Sequence, residues 1–296
     1  MRSNSQIPTP NPPAPAHASA AFPRGVAEIL VNARQKGIAL AGFPGTLPRT
    51  LADAYACQDQ AIALWPDQIC GWKVGFVQPA ARDESGDERV LGPIFKGTLV
   101  EHFDYSTDSA IEFAVIPGGF AAIEAEYVFK LGVDLTSSNT VLAQADTLDW
   151  VESLHVGVEF AGSPMPDINR VGLLSVASDF GNNSGLVVGP EISDWRHQHW
   201  HDMQAQCWIN GNLVGKGGAA SVPGSPLGAL RFAVQRLLKR GLSLPKGTWI
   251  ATGASTGIHE VVPGDQGEIR FEHCNASDAK LFSCRITART PESVEP

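Results

Sequence analysis

Ala122-Ile123-Glu124-Ala125-Glu126-Tyr127-Val128-Phe129 alternates in a way that suits an extended chain. Side chains two apart on a strand share a face, so Glu124 and Glu126 point one way while Ile123, Tyr127 and Phe129 point the other. The pattern predicts a strand over 122–131 with one apolar face and one that gathers carboxylates.

Outward from it, short apolar runs punctuated by Gly, Pro, Asn and Asp predict further strands over 69–77, 156–160, 184–188, 205–209, 247–252 and 268–272. Asn210-Gly211 marks a hairpin, because this pair accommodates the two positive φ angles of a type I′ turn. Helical periodicity predicts 26–36, stopped at Gly37, and 50–65, with Thr50 as N-cap. Two more helices are predicted over 147–154 and 227–240. There is no regular βαβ rhythm and no internal repeat, so the fold class is α+β: a β-rich body behind an N-terminal helical cap. The expected layout is a Pro/Ala-rich tail over 1–25, the cap over 26–68, the catalytic body over 69–287 and a C-terminal tail over 288–296.

The 296 residues are 43% hydrophobic and 18% charged, an ordinary balance for a folded core. The net charge of -9 repels phosphate backbones and anionic lipid surfaces, so neither nucleic acid nor membrane is an expected partner. Five scattered cysteines without a CxxC pair suggest neither a disulfide framework nor a thiolate zinc site, and a cytoplasmic location is expected. An acidic chain that takes an anionic substrate must reverse its field locally, with a cation or a buried lysine.

Glu124 and Glu126 on one strand face repel unless a cation lies between them, and hard oxygen ligands suit Mg²⁺ or Mn²⁺. An isolated pair of this kind is more often a solvated strand face. Glu159 is a carboxylate in the apolar run Val156-Gly157-Val158-Glu159-Phe160, where it needs a metal or an ion-pair partner. Lys73, between Gly71-Trp72 and Val74-Gly75, either meets an anionic ligand or lies on an exposed strand. Asp179 is a fourth candidate acid or an Asx-turn residue. Thr252-Gly253-Ala254-Ser255 follows a strand and offers backbone N–H groups to a carboxylate. The same segment contains a literal GxSxG at 253–257, but no helix is predicted after Ser255, which argues against a nucleophile elbow. Gly215-Lys216-Gly217-Gly218 lacks the continuation of a phosphate loop. His197, His199 and His201 read as a polar connection rather than a metal site.

Taken together and in order, Gly71-Trp72-Lys73-Val74-Gly75, Ile123-Glu124-Ala125-Glu126, Val158-Glu159, Ser178-Asp179 with Asn182 and Asn183, Ala251-Thr252-Gly253 and Pro263-Gly264-Asp265 resemble the fumarylacetoacetate hydrolase superfamily. The branch they resemble is that of the 2-hydroxypenta-2,4-dienoate (2-keto-4-pentenoate) hydratases and 4-oxalocrotonate decarboxylases. The resemblance implies a mixed β-sandwich roll preceded by helices, with Mg²⁺ or Mn²⁺ on Glu124, Glu126 and Glu159. It puts the family lysine at Lys73 and places Thr252 and Gly253 beside a 2-oxo or 2-hydroxydienoic acid, and Ser255 in the same loop is expected to bind that substrate as well. Asp179 is assigned to proton transfer or water positioning. The implied reaction is hydration in the meta-cleavage breakdown of aromatic compounds, carried out by a homo-oligomer. Decarboxylation, C–C hydrolysis with Glu101-His102 as a conceivable water-activating pair, and a non-catalytic partner subunit are the alternatives. In two places the chain departs from the pattern: Ile94-Phe95-Lys96-Gly97-Thr98-Leu99 replaces Asp-(Phe/Tyr)-Gly-Thr-Leu, and Ser225-Pro226 replaces His-Pro.

Overall fold

The 122–131 segment becomes the longest but one of the strands in a computed structural model that describes residues 24–101, 110–137, 147–272 and the backbone of 280–288. The tails expected at the two ends, apart from their innermost residues, and His102 lie outside the described residues. In chain order the elements are α1 (Arg24–Lys36), α2 (Leu51–Leu64), β1 (Ile69–Phe76), β2 (Arg89–Phe95), β3 (Leu99–Glu101), β4 (Ile111–Val115), β5 (Phe120–Leu131) and β6 (Val151–Ser163). They continue with α3 (Ile168–Val171), α4 (Leu173–Ser178), β7 (Asn183–Glu191), β8 (Gln204–Ile209), β9 (Asn212–Gly218), α5 (Ser225–Lys239), β10 (Trp249–Ala251), β11 (His259–Glu260), β12 (Gln266–Glu272) and β13 (Lys280–Ala288).

The larger sheet runs β2-β1-β10-β5-β6-β7-β3, with β11 also paired to β5. Its two outermost strands, β2 and β3, are joined by only Lys96–Thr98. Four residue steps reach at most about 14 Å, so the sheet must curl until its edges meet, and it forms a roll. Strand register then fixes what faces inward. Lys73, Ala251 and Val128 stand side by side on β1, β10 and β5, and Glu124 lies directly opposite Glu159. Ile94, Leu186, Val188 and Trp249 share this face as a small buried apolar cluster.

The outer face carries Trp72, Val74, Ile123, Tyr127, Phe129 and Phe160 into the main core with α1, α2 and α5. The second sheet, β4-β13-β12-β8-β9, packs there as well. Tyr127 meets Phe271 edge-on at 5.8 Å, and Phe113 stacks on Phe160 at 3.9 Å. The buried rings of Tyr127, Phe160 and Phe271 each contribute about 2 kcal/mol from area removed from water. These contacts hold β5 rigid from behind, and so fix where its two inward glutamates sit.

Thr50 caps α2 by accepting the Asp53 N–H at 3.1 Å. Asn210 and Gly211 both have positive φ, 51° and 76°, in the hairpin between β8 and β9. Among the described residues no helix follows Ser255, in agreement with the rejection of a nucleophile elbow. The helix predicted over 147–154 does not form: a short 3-10 turn at Thr147–Trp150 leads straight into β6. Leu148, Val151 and Leu154 have helical spacing, but β6 gains hydrogen bonds on both edges, to β5 and β7. That pairing outweighs local periodicity. Cys57, Cys70 and Cys207 are free thiols, and burial pushes the first two up to about 12. No described helix is long and apolar enough to cross a membrane.

Candidate metal centre

Cross-strand pairing brings the three glutamates together. One carboxylate oxygen from each of Glu124, Glu126 and Glu159 lies within 4.8 Å of the others, and all three side chains are buried. Glu126 accepts the Gly253 N–H on Oε2 at 2.9 Å, and Glu159 accepts the Asn183 amide on Oε1 at 3.0 Å. Their remaining oxygens, Glu126 Oε1 and Glu159 Oε2, are buried with no hydrogen-bond donor.

A buried acceptor without a donor carries its desolvation cost uncompensated, of order 1–3 kcal/mol and more when charged. The strain appears as proton affinity. Burial first, then the charge of Glu159, raises Glu124 to about 8, against the pull of Lys73. Burial, Glu159 and Glu124 push Glu126 well above the usual carboxylate range.

Lys73 completes the cluster from β1, with Nζ 3.4 Å from Glu159 Oε1 and 3.3 Å from Asn182 Oδ1. Burial opposes its charge, but Glu159, Glu124 and Glu126 outweigh that and raise its pKa. Three carboxylates and one ammonium leave two negative charges, which a single dication would neutralise. Around a cation held at about 2.1 Å, ligand oxygens stand about 3–4 Å apart. The observed spread, within 4.8 Å, exceeds that by about an ångström at most. Oxygen-only donors, their charge count and two orphaned acceptors all fit Mg²⁺ or Mn²⁺.

The segment after α4 supplies the remaining partners. Phe180, Gly181 and Asn182 all have positive φ, at 54°, 62° and 54°, a backbone turn that non-glycine residues rarely adopt and that recurs at functional sites. It turns Asn182 towards Lys73 and Asn183 towards Glu159. Gly92 on β2 permits this approach, because a Cβ there would overlap the Phe180 carbonyl.

The other expected residues are in place but engaged differently. Asp179 accepts from Arg34 Nε at 2.5 Å and from Ser163 Oγ at 2.6 Å, so both its oxygens are taken. Thr252 Oγ1 donates to the Tyr127 carbonyl and Ser255 Oγ to the Ala125 carbonyl, each pinning the 252–255 loop to β5. The Gly253 N–H expected to meet a substrate carboxylate is spent on Glu126, and the φ of 108° that aims it there favours glycine. Sequence reasoning missed Arg34. Its signal was position: Val26, Ala27, Leu30, Val31 and Ala33 form the buried stripe of α1, and Arg34 lies on that stripe. The three histidines, by contrast, are not part of any described metal-ligand cluster.

No protein-family model matches the chain. It is 25% identical over 235 residues to a 4-oxalocrotonate decarboxylase of Pseudomonas putida, covering 78% of this chain and 86% of that protein. It is 25% identical over 244 residues to a 2-keto-4-pentenoate hydratase of Paraburkholderia xenovorans, covering 81% and 87%. Among solved structures, 4-oxalocrotonate decarboxylase from Pseudomonas putida G7, complexed with magnesium and adipate, superposes with a TM-score of 0.70 at 23% identity, covering 89% of this chain and 96% of that one. Fumarylpyruvate hydrolase from Pseudomonas aeruginosa, in complex with Mn²⁺ and pyruvate, gives 0.54 at 15% identity, covering 76% and 91%. The chain is thus similar along most of its length to 4-oxalocrotonate decarboxylases and 2-keto-4-pentenoate hydratases and shares a fold with the former, in keeping with the resemblance read from its sequence.

Proposed function

We propose that the chain is a Mg²⁺- or Mn²⁺-dependent lyase that adds water to a 2-hydroxy-2,4-dienoate through its 2-oxo-enoate tautomer. The observation that carries this reading is the trio of buried glutamates with two donorless oxygens beside a buried ammonium. Glu124, Glu126 and Glu159 would hold the ion. A bound dication supplies positive charge for the substrate's C1 carboxylate and C2 oxygen, worth several kcal/mol when enolate charge develops.

The chain's own groups do the rest. Lys73, kept protonated by its carboxylate neighbours, offers an N–H to the C2 oxygen and stabilises the enolate left when the enol proton passes to water. A proton then joins the far end of the diene, and water adds across the resulting enone. Asn182 and Asn183 hold Lys73 and Glu159 in register. We assign Thr252, Gly253 and Ser255 to fixing Glu126, and Asp179 to anchoring the strained turn through Arg34.

A second reading is loss of CO₂ from a 2-oxo dicarboxylate. Both oxygens of Asp179 are occupied, and decarboxylation needs an electron sink but no base to activate water. The test is a product assay on chelated and Mg²⁺-restored protein, given a 2-hydroxydienoate and a 2-oxo-enedioate separately. Hydration that disappears on chelation and returns with metal is the expected result. Turnover indifferent to chelation overturns the metal assignment, and CO₂ released together with the shortened 2-hydroxydienoate, with no hydrated product from either substrate, establishes the second reading.

A further inference from the structure

A lysine ammonium has three N–H donors and no acceptor. Two acceptors face Lys73: Nζ lies 3.4 Å from Glu159 Oε1 and 3.3 Å from Asn182 Oδ1. Together they set how the ammonium turns about its Cε–Nζ bond, and so where the third N–H points. Both contacts are longer than the roughly 3.2 Å that bounds most N–H···O bonds. Neither alone fixes the rotor, so the aim of the third N–H depends on how firmly each acceptor is itself held.

Glu159 stands on a central strand and accepts the Asn183 amide at 3.0 Å. Asn182 lies in the turn before β7, at a φ of 54°, and its far end is held from α3: Nδ2 donates to Asn169 Oδ1 at 3.1 Å. Only one arrangement of this pair suits Lys73. An ammonium cannot accept, so Asn182 must present its oxygen to Lys73 and its NH₂ to Asn169, which must present its oxygen in turn. The bonds from Lys73 through Asn182 to Asn169 therefore run in one direction, each polarising the next. Asn169 is exposed, yet its place is fixed. Ile168 beside it is fully buried, and Ser175 Oγ donates to the Ile168 and Gly172 carbonyls at 2.9 and 2.8 Å, which clamps the single turn of α3 to α4. An exposed amide on such a turn adds little to the core.

Resting on the reading above, in which Lys73 offers an N–H to the substrate's C2 oxygen, we propose that Asn169 is a positioning residue of the site. It acts through Asn182 alone, holding that amide so that the third N–H of Lys73 stays aimed at the substrate oxygen.

A double-mutant cycle read by calorimetric oxalate binding to the Mg²⁺-loaded protein tests this without turnover. An oxygen of oxalate's second carboxylate stands in for the C2 oxygen. Asn169→Leu removes the acceptor and keeps the side chain's size; Asn182→Gly removes the amide at a φ that suits glycine. Asn169→Leu is expected to weaken oxalate binding at least fivefold, the scale of one hydrogen bond, while Mn²⁺ affinity without oxalate stays within twofold. On the Asn182→Gly background the same substitution is expected to change oxalate binding less than twofold. Asn169→Asp keeps the acceptor and is expected to stay within threefold of the parent at about 0.15 M salt, where exposed charges are screened beyond about 8 Å. Should Asn182→Gly bind no oxalate, the contrast between Asn169→Leu and Asn169→Asp decides alone. Four results overturn the assignment and leave the metal site standing: oxalate binding unchanged in Asn169→Leu, equal losses on both backgrounds, an equal loss in Asn169→Asp, or a matching fall in Mn²⁺ affinity. Absence of Mg²⁺-dependent oxalate binding in the parent overturns the metal-site reading, and this assignment with it.

Discussion

Glu124 carries two opposed tendencies that separate a ligand from a structural acid. As part of the metal-free protein it is a liability, because burial and the neighbouring Glu159 hold its proton on up to about 8. As a ligand it must be ionised. Glu124→Gln removes the ionisable group while keeping shape, so the chelated variant is expected to melt at or above the temperature of the chelated parent near pH 8. The same variant is expected to bind Mn²⁺ at least 100-fold more weakly in a titration followed by the ion's own paramagnetic signal. Unchanged Mn²⁺ affinity would remove Glu124 from the site. The sequence showed the raw material for this, since the alternation of Ile123-Glu124-Ala125-Glu126-Tyr127 sets both acids on one face. It did not show that Glu159 would be the direct cross-strand neighbour of Glu124, because register between strands 35 positions apart is set by the whole sheet.

Among the elements, α1 is tied to the site by a single residue. Arg34 is its buried end, and its bonds to Asp179, Gly162 and Asn183 fasten the helix to the strained turn that holds Asn182 and Asn183. Arg34→Met leaves the Asp179 carboxylate buried beside Ser163 without its counter-charge, a loss expected to cost about 3–5 kcal/mol. Denaturant unfolding measures it; a change below about 1 kcal/mol would show that the helix is held by its apolar stripe alone. The pair Arg34→Met with Asp179→Leu should recover much of the loss, because it removes both charges. α1 itself was plain in the sequence, with its periodicity and Gly37 stop. The role of Arg34 was not, since nothing local distinguishes an arginine that ends an apolar stripe from one that lies in solvent. β6 shows the converse. Its first residues have helical spacing, and only the two strands that flank it make it extended. The packing of Trp65 against Phe95 and Phe180 was equally out of reach, because the three rings come from separate stretches of chain and meet only in the folded molecule.

For the whole molecule, the cluster is expected to make stability depend on metal and pH together. Glu124 has a folded pKa of about 8, raised above its ordinary 4.5, and Glu126 is raised in the same direction. Below about 4.5 the folded and unfolded chains hold these protons alike. As pH rises towards 8 the unfolded chain releases them first, so the chelated protein loses stability across that window, and Glu124's share of the loss levels off above it. Binding a dication reverses the sign, because the ion displaces the same protons and its affinity grows as they leave. The stabilisation it confers follows its concentration, gaining about 1.4 kcal/mol per tenfold excess over Kd. Thermal melts at pH 6 and pH 8, each with chelator and with millimolar Mg²⁺, should therefore show a gap between loaded and chelated protein that widens at pH 8. A gap that is constant, or that narrows with pH, would mean that the ion does not displace protons from these carboxylates, and that the cluster is held together by Lys73 alone.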